Sequence, residues 1–339
     1  MANIIEEIFK RLQRVNHIIA SRTNVSDITF ADACVIAQFY HDYQNTNGII
    51  DDVENLARQD GKSLYESAIG LKKEVDKFVS LDLSVWNALD FINMEQSHLK
   101  EYKERWDVAK NKATNLWREY QTESNRLDMM DLNSEEFKTL DAQCDNIKLA
   151  YDEAHRQGEE LYGIYRQEQL KCGQVHYFEM QFLDLLIRKI STLVDVILKN
   201  GEHLEKDMID NSLILKEIAQ LRDIVNLGVC VGVYQSCNGK QFKHMPASDF
   251  INFLNLKLDK AKVHPLPRQK QRICYMLFAV SHTIALSDSP KHWIESMLEL
   301  CDISPEYYDK HHKDFLSVGV SEKNKEYKEI IDESIKRSY

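Results

Sequence analysis

Residues 99–130 read LKEYKERWDVAKNKATNLWREYQTESNRLDMM, and residues 137–165 read FKTLDAQCDNIKLAYDEAHRQGEELYGIY. In the first run the core-type side chains are Leu99, Tyr102, Trp106, Ala109, Ala113, Leu116, Tyr120, Leu127 and Met130, three and four apart with one polar skip at Glu123. Such spacing holds an apolar seam on one side of a helix, because the pattern's period nearly matches the helical turn. The second run repeats the rhythm with Phe137, Leu140, Cys144, Ile147, Tyr151, Ala154, Gly158, Leu161 and Tyr165. Between the runs lies Asp131-Leu132-Asn133, where Asn133 is placed to cap the second helix and Glu136 to return the bond. A connection this short joins antiparallel neighbours, so the spacing predicts a coiled-coil hairpin with arms of roughly 48 Å. Val85, Leu89 and Ile92 extend the first arm backwards, giving a hairpin over residues 85–172.

The flanking sequence is also helical in its periodicity. Ile4, Ile5, Ile8, Leu12, Val15 and Ile19 mark a first helix, and Thr29 or Ser26 caps a second that Asn47-Gly48 is expected to end. A third, from about Asp51 towards Lys77, is expected to break near Asp60-Gly61. After a break at Gly173, the residues Phe178, Phe182, Leu185, Leu186, Ile190, Leu193 and Ile197 form the strongest apolar face in the chain, stopped at Asn200-Gly201. Ile214, Ile218, Leu221 and Val225 mark a further helix over about 211–227. Gly228-Val229-Cys230-Val231-Gly232-Val233-Tyr234, followed by Asn238-Gly239, reads either as a two-stranded ribbon or as a helix end and loop. The predicted fold class is all-α: a helical bundle with the hairpin projecting from it and a small helical domain at the C-terminus.

That last domain is drawn from proline and charge. Residues 1–245 contain no proline, whereas Pro246, Pro265, Pro267, Pro290 and Pro305 punctuate the remainder. Residues 240–339 hold 16 Lys and Arg against 14 Asp and Glu, or +2, which leaves −13 of the total −11 on residues 1–239. The expected division is an acidic helical body over 1–230, including the hairpin, and a domain over 240–339. Within the tail, helices are expected from Ser248 or Asp249, from Pro267, and over 322–337. Ser289-Pro290 and Ser304-Pro305 each spell a capping hydroxyl before a first-turn proline.

Composition and motifs exclude several functional classes. A net charge of −11 argues against a protein that coats nucleic acid or anionic membrane over its whole surface. Glu6 and Glu7 stand where a secretory signal wants basic residues, and no apolar run reaches the length of a membrane span, so a cytoplasmic location is expected. Seven cysteines without a CxxC pair read as free thiols of a reducing compartment. Neither GxGxxG, GxxxxGK[ST] nor GxSxG occurs, and the adjacent His311 and His312 point about 100° apart on a helix. No catalytic residues, metal ligands or cofactor are predicted.

One segment carries a more specific pattern. Residues 290–316 run helix, tight turn at Cys301-Asp302-Ile303, then a capped helix, the order of a helix-turn-helix unit. Lys310, His311 and Lys313 on the second helix, with Lys270 and Arg272 from the basic stretch that begins at Lys257, are the candidate nucleic-acid-binding residues. The start of that second helix, Glu306-Tyr307-Tyr308, is a poor base-reading set, and Asp309 and Asp314 offset the lysines.

From the apolar helix Ile273-Cys274-Tyr275-Met276-Leu277-Phe278-Ala279, through Tyr307-Tyr308 and the turn Glu322-Lys323-Asn324-Lys325, to the amphipathic end at Lys336-Arg337, about 75 residues resemble the C-terminal region of the RteC family. Those proteins are helical DNA-binding regulators of conjugative elements, and the resemblance implies a regulatory role. The residue reading favours a non-catalytic interaction or scaffold protein that meets a protein partner through its hairpin. The alternative is a DNA-binding regulator using 290–316, with the hairpin serving to form a homodimer.

Overall fold

The computed structural model describes residues 3–132, 134–204, 212–285, 289–317 and 319–337. Among these, every regular element is a helix, and β pairing is limited to isolated bridges of Phe242 with Asn238 and Pro265. In chain order the α-helices are α1 Ile4–Ser21, α2 Phe30–Tyr43, α3 Thr46–Gln59, α4 Gly61–Val79, α5 Ser84–Asn87, α6 Phe91–Leu127 and α7 Glu135–His176. They continue with α8 Met180–Leu204, α9 Ser212–Ala219, α10 Leu227–Cys237, α11 Ala247–Leu254, α12 Lys270–Ser281, α13 Pro290–Leu300, α14 Pro305–His311 and α15 Glu322–Lys336. The fold class is all-α.

The chain packs as two compact units. One comprises Met1–Asp27, Gln38–Ala88 and Glu179–Tyr339, and the other Ile28–Ala37 and Leu89–Phe178.

In the first unit the apolar face of α8 is the axis of the core. Phe182, Leu183, Leu186, Ile187, Ile190, Leu193, Val194 and Ile197 are all buried. Against them lies α4 with Leu64, Ala68, Leu71, Val75 and Phe78, and α4 in turn packs on Ile5, Ile8, Leu12, Val15 and Ile19 of α1. Burying such side chains stabilises by about 1.5–3 kcal/mol each, which is why the 3.6-residue period is so regular here. The amide nitrogen of the buried Asn16 donates to the Glu74 carbonyl at 2.8 Å and carboxylate at 2.9 Å. Asp60 is the whole joint between α3 and α4, its N–H donating to Leu56 O and its carboxylate accepting from Ser63 N.

The junction between the expected body over 1–230 and the expected domain over 240–339 lies within this unit. There α10 is buried along almost its whole length and packs on α11 and α15, so the tail and the N-terminal body share one core. Asn255 after α11 bonds both to Val225 N (3.0 Å) and to Val225 O (3.2 Å), and the Trp293 indole of α13 donates to Leu254 O at 2.8 Å. Nor is 228–234 a ribbon. Asn226 caps a helix by accepting from Val229 N, and a Cβ on Gly232 would stand 2.6 Å from Ser334 O of α15. The glycine that weakens a strand reading is there to let two helices approach.

Other expected punctuation also falls inside helices. Asn47-Gly48 lies in the first turn of α3, because Asn45 is the cap. Asn200-Gly201 lies within α8, where the Asn200 amide donates to Val196 O (2.8 Å) and Glu217 (3.1 Å) and a Cβ on Gly201 would collide with the Tyr65 ring. Gly173 is an interior residue of α7, which continues to His176. In the tail, α11 starts at Ala247 and α12 at Lys270, the latter three residues beyond Pro267.

In the second unit α6 and α7 pack side by side and run antiparallel. Glu95 meets His176 at 2.5 Å, His98 meets Glu168 at 3.1 Å, the Trp106 ring lies 5.8 Å from Tyr165, and Trp117 lies 4.9 Å from Tyr151. At 37 and 42 residues the helices are about 55 and 63 Å long. The cap of α7 is Ser134, whose hydroxyl accepts from Phe137 N at 3.0 Å; the expected cap Asn133 lies outside the described residues. At the other end of the pair, Phe30 of α2 stacks on His98 at 4.1 Å. Thr29 and Asp32 form a capping box there, each side chain accepting from the other's N–H.

Candidate functional site

Two helices bury little surface between them, and α6 has only Phe91 and Ala113 fully inside. The facing helix buries Leu140, Cys144, Ile147, Ala154 and Gly158 among others, so the middle of the contact is made of small residues. Large aromatic side chains are displaced to the edges of that contact. Trp106 and Trp117 are eleven residues apart on α6, and Tyr151 and Tyr162 are eleven apart on α7. Eleven residues are close to three full turns, so each pair lies on one side of its helix.

The antiparallel arrangement then matches them. Trp106 meets Tyr162 with ring centroids 5.0 Å apart at 40°, and Trp117 meets Tyr151 at 4.9 Å and 41°. These two aromatic gates are separated by about 16 Å along the helices. Between them is a trough of about 440 Å³ floored by Ala113 and Gly158. An ideal Cβ on Gly158 has nothing within 4 Å, so the glycine leaves space that the fold does not fill. Cations decorate the gates: Lys110 lies 5.1 Å over Trp106, and Lys148 lies 4.8 Å over Tyr151 while donating to Asp152 at 2.6 Å. His155 stacks on Tyr151 at 5.6 Å and 4°.

The same unit exposes unusual apolar surface. Of fifteen markedly exposed large apolar side chains among the described residues, nine lie in 89–178, including Val108, Met129, Leu132, Leu149 and Leu170. Residues 89–178 also hold 12 Lys and Arg against 18 Asp and Glu, a net charge of −6.

The five candidate nucleic-acid residues are less free. Lys270 donates to Asp302 O at 2.8 Å, and Arg272 donates to Asn324 at 3.4 Å with its guanidinium 5.2 Å over the Tyr327 ring. His311 is bonded to Asp314 at 2.6 Å, Lys313 sits 6.0 Å over Phe278, and Lys310 is exposed. Gln271 also donates to Asp314 at 2.8 Å, which brings the start of α12 beside the end of α14. Arg272 is directed instead towards α15. The Glu306 carboxyl at the start of α14 is held below the usual range by its own backbone amide and Ser304, so it presents negative charge there.

Thiol chemistry finds no support in the environment of the cysteines. Burial pushes Cys34 up to about 11 and Cys172, Cys237, Cys274 and Cys301 up to about 12, and Cys230 higher still. All seven are free. Among the described residues no three His, Cys, Asp or Glu side chains gather as a metal ion requires, and no helix is long and apolar enough to cross a membrane.

Trp117 and Tyr162 are the site residues that seam reading passes over, because they stand one position beyond the seam leucines Leu116 and Leu161. The shared eleven-residue interval is the signal that marks them. No family model, curated protein or solved structure matches the chain.

Proposed function

We propose that this is a non-catalytic interaction protein whose α6 and α7, an antiparallel coiled-coil hairpin, seat an amphipathic helix of a protein partner in the trough between the two aromatic gates. The observation that carries this reading is the matched pair of gates around an unfilled Gly158 floor. Rigid Trp and Tyr side chains around a concave apolar floor are the usual anchors of a protein interface, and 16 Å spans about three turns of a docked helix. The charge of −6 favours basic flanks on that helix and disfavours a second copy of the same acidic hairpin. Seven unpaired cysteines support a cytoplasmic setting.

Fluorescence anisotropy of the full chain with labelled amphipathic peptides, matched in apolar face and differing in flank charge, tests it. Basic-flanked peptides should bind best. Gly158→Leu should fill the trough without disturbing the fold, and Trp117→Ala should remove a gate; each should weaken binding by about thirtyfold or more. Equal binding of acidic-flanked peptides, or unchanged affinity in Gly158→Leu, would overturn the reading.

A second reading makes α13 and α14 a helix-turn-helix that meets duplex DNA, and the exposed Lys310 and Lys313 beside the Ser304-capped α14 favour it. Its support is weaker, since Lys270, Arg272 and His311 are engaged within the protein and Glu306 opposes phosphate. Salt-dependent, sequence-selective duplex binding near 10⁻⁸ M, reduced in Lys310→Ala/Lys313→Ala, would reverse the ranking.

A further inference from the structure

The first unit contains a second concave site, unrelated to the hairpin. Asp223 lies between α9 and α10 with only 3% of its side chain exposed. A buried carboxylate is tolerable only with partners, and it has two: Lys189 of α8 bonds Oδ2, and Lys257 beyond α11 bonds Oδ1 at 3.1 Å. The backbone is fixed as well. Asn47 of α3 accepts from Asp223 N at 3.0 Å and donates to Asp223 O at 2.8 Å.

These groups edge a cavity of about 210 Å³. Its apolar walls are chiefly Ile49, Ile190, Leu193 and Leu221, and the neutral polar side chains Thr192 and Gln220 line it as well. Its charged lining is two ammonium groups and one carboxylate, a local excess of +1. The adjoining Arg222 is matched by Asp51 at 2.5 Å and Glu54 at 3.0 Å, and none of those three lines the cavity. Each ammonium has three donors, and Asp223 occupies one on each.

A further lining group is unpartnered. Thr46, the first residue of the 14-residue α3, is only 7% exposed, and its hydroxyl oxygen has no hydrogen-bond partner in the protein. A buried hydroxyl left unmatched is unfavourable, and here it stands at the positive end of a helix. A partly open chamber with an apolar side, surplus ammonium donors and an unmatched hydroxyl is complementary to an anionic head on a short hydrocarbon.

We propose that this cavity binds a small apolar monocarboxylate, its carboxylate taken by Lys189, Lys257 and the Thr46 hydroxyl and its hydrocarbon lying along Ile49, Ile190 and Leu193. An apolar protein cavity of about 150 Å³ holds benzene, so this one takes about eight to ten non-hydrogen atoms, the size of hexanoate to octanoate or a simple aryl acid. Carboxylate recognition comes from charge-assisted hydrogen bonds and chain length from the cavity volume.

Calorimetric titration of the full chain with octanoate, octanol and octylamine tests the proposal. Octanoate should bind saturably and at least about tenfold more tightly than either analogue. Lys257 is half exposed and Asp223 keeps Lys189, so Lys257→Met should stay folded, weaken octanoate by about tenfold and leave octanol unchanged. Thr46→Val should weaken octanoate alone, and Leu193→Phe should abolish binding of every probe; melting curves of each variant report its folding. Equal affinity for octanoate and octanol, tighter binding of octylamine to Asp223, or no saturable binding by the folded wild type would each overturn it.

Discussion

Gly232 of α10 and Ser334 of α15 are pressed together so closely that a methyl group on the glycine would stand 2.6 Å from the serine carbonyl oxygen. Beside them the hydroxyls of Ser236 and Ser334 are 2.6 Å apart, and the Cys237 thiol lies 3.7 Å from the Tyr327 hydroxyl. Small residues therefore set the approach of the last helix. Gly232→Ala should destabilise the protein by about 1–3 kcal/mol despite its better helix propensity, because the carbonyl belongs to a rigid backbone. Urea denaturation should show the loss as a lower midpoint with an unchanged slope.

Gly163 in α7 is the contrasting case. It is exposed and a Cβ there meets nothing within 4 Å, so Gly163→Ala should stabilise by about 0.5–1 kcal/mol through backbone entropy and propensity alone. The thermal midpoint of the variant, set against wild type, checks the sign.

The Glu168 carboxyl is held below its ordinary value of 4.5 by hydrogen bonds from Lys171 first and His98 second. A carboxyl with a depressed folded-state pKa binds fewer protons folded than unfolded over that window. Its contribution is thus complete above about pH 4.5 and is lost as pH falls through the depressed value. Glu168→Gln should flatten the acid side of the stability curve below pH 4.5 and reduce stability at pH 7. Denaturation midpoints measured from pH 3 to 7 give both.

Residues 240–339 should not fold alone. Isolating them strips α15 of α10 and takes from Asn255 its two bonds to Val225. The isolated segment should melt without a cooperative transition, and limited proteolysis of the full chain should spare 228–237, where α10 is buried. A sharp transition in the isolated segment would restore the division suggested by proline and charge.

The two long helices are legible because a seam of three-and-four spacing is written locally, from Leu99 to Tyr165, and so is the Ser304-capped start of α14; α13 also starts at its proline, but the Ser289 side chain makes no capping bond. Glycines were misleading where their cause is distant. Gly201 answers Tyr65 and Gly232 answers Ser334, neither of which a local window contains. Charge and proline describe surface and turns, so they do not register that Phe250, Phe253 and Trp293 are buried in the same compact unit as Met1–Asp27 and Gln38–Ala88. Trp106 and Tyr151 were readable as seam, but the trough needs Trp117 and Tyr162, which sit beside it. The cavity at Asp223 draws on positions 46, 189, 223 and 257, and no spacing rule connects those.

Asp60 ends α3 and begins α4 with no residue to spare on either side. Each residue of a helix turns the chain by about 100°, so one inserted or deleted position at this joint would rotate α4 as a whole and carry Leu64, Ala68, Leu71 and Val75 away from α1 and α8. Near the turn between α6 and α7 the side chains of Asp128, Met129, Asp131 and Leu132 are exposed, so no such constraint acts on them. Related chains should therefore vary in length at the turn between α6 and α7 and keep an invariant count of residues from α3 through α4.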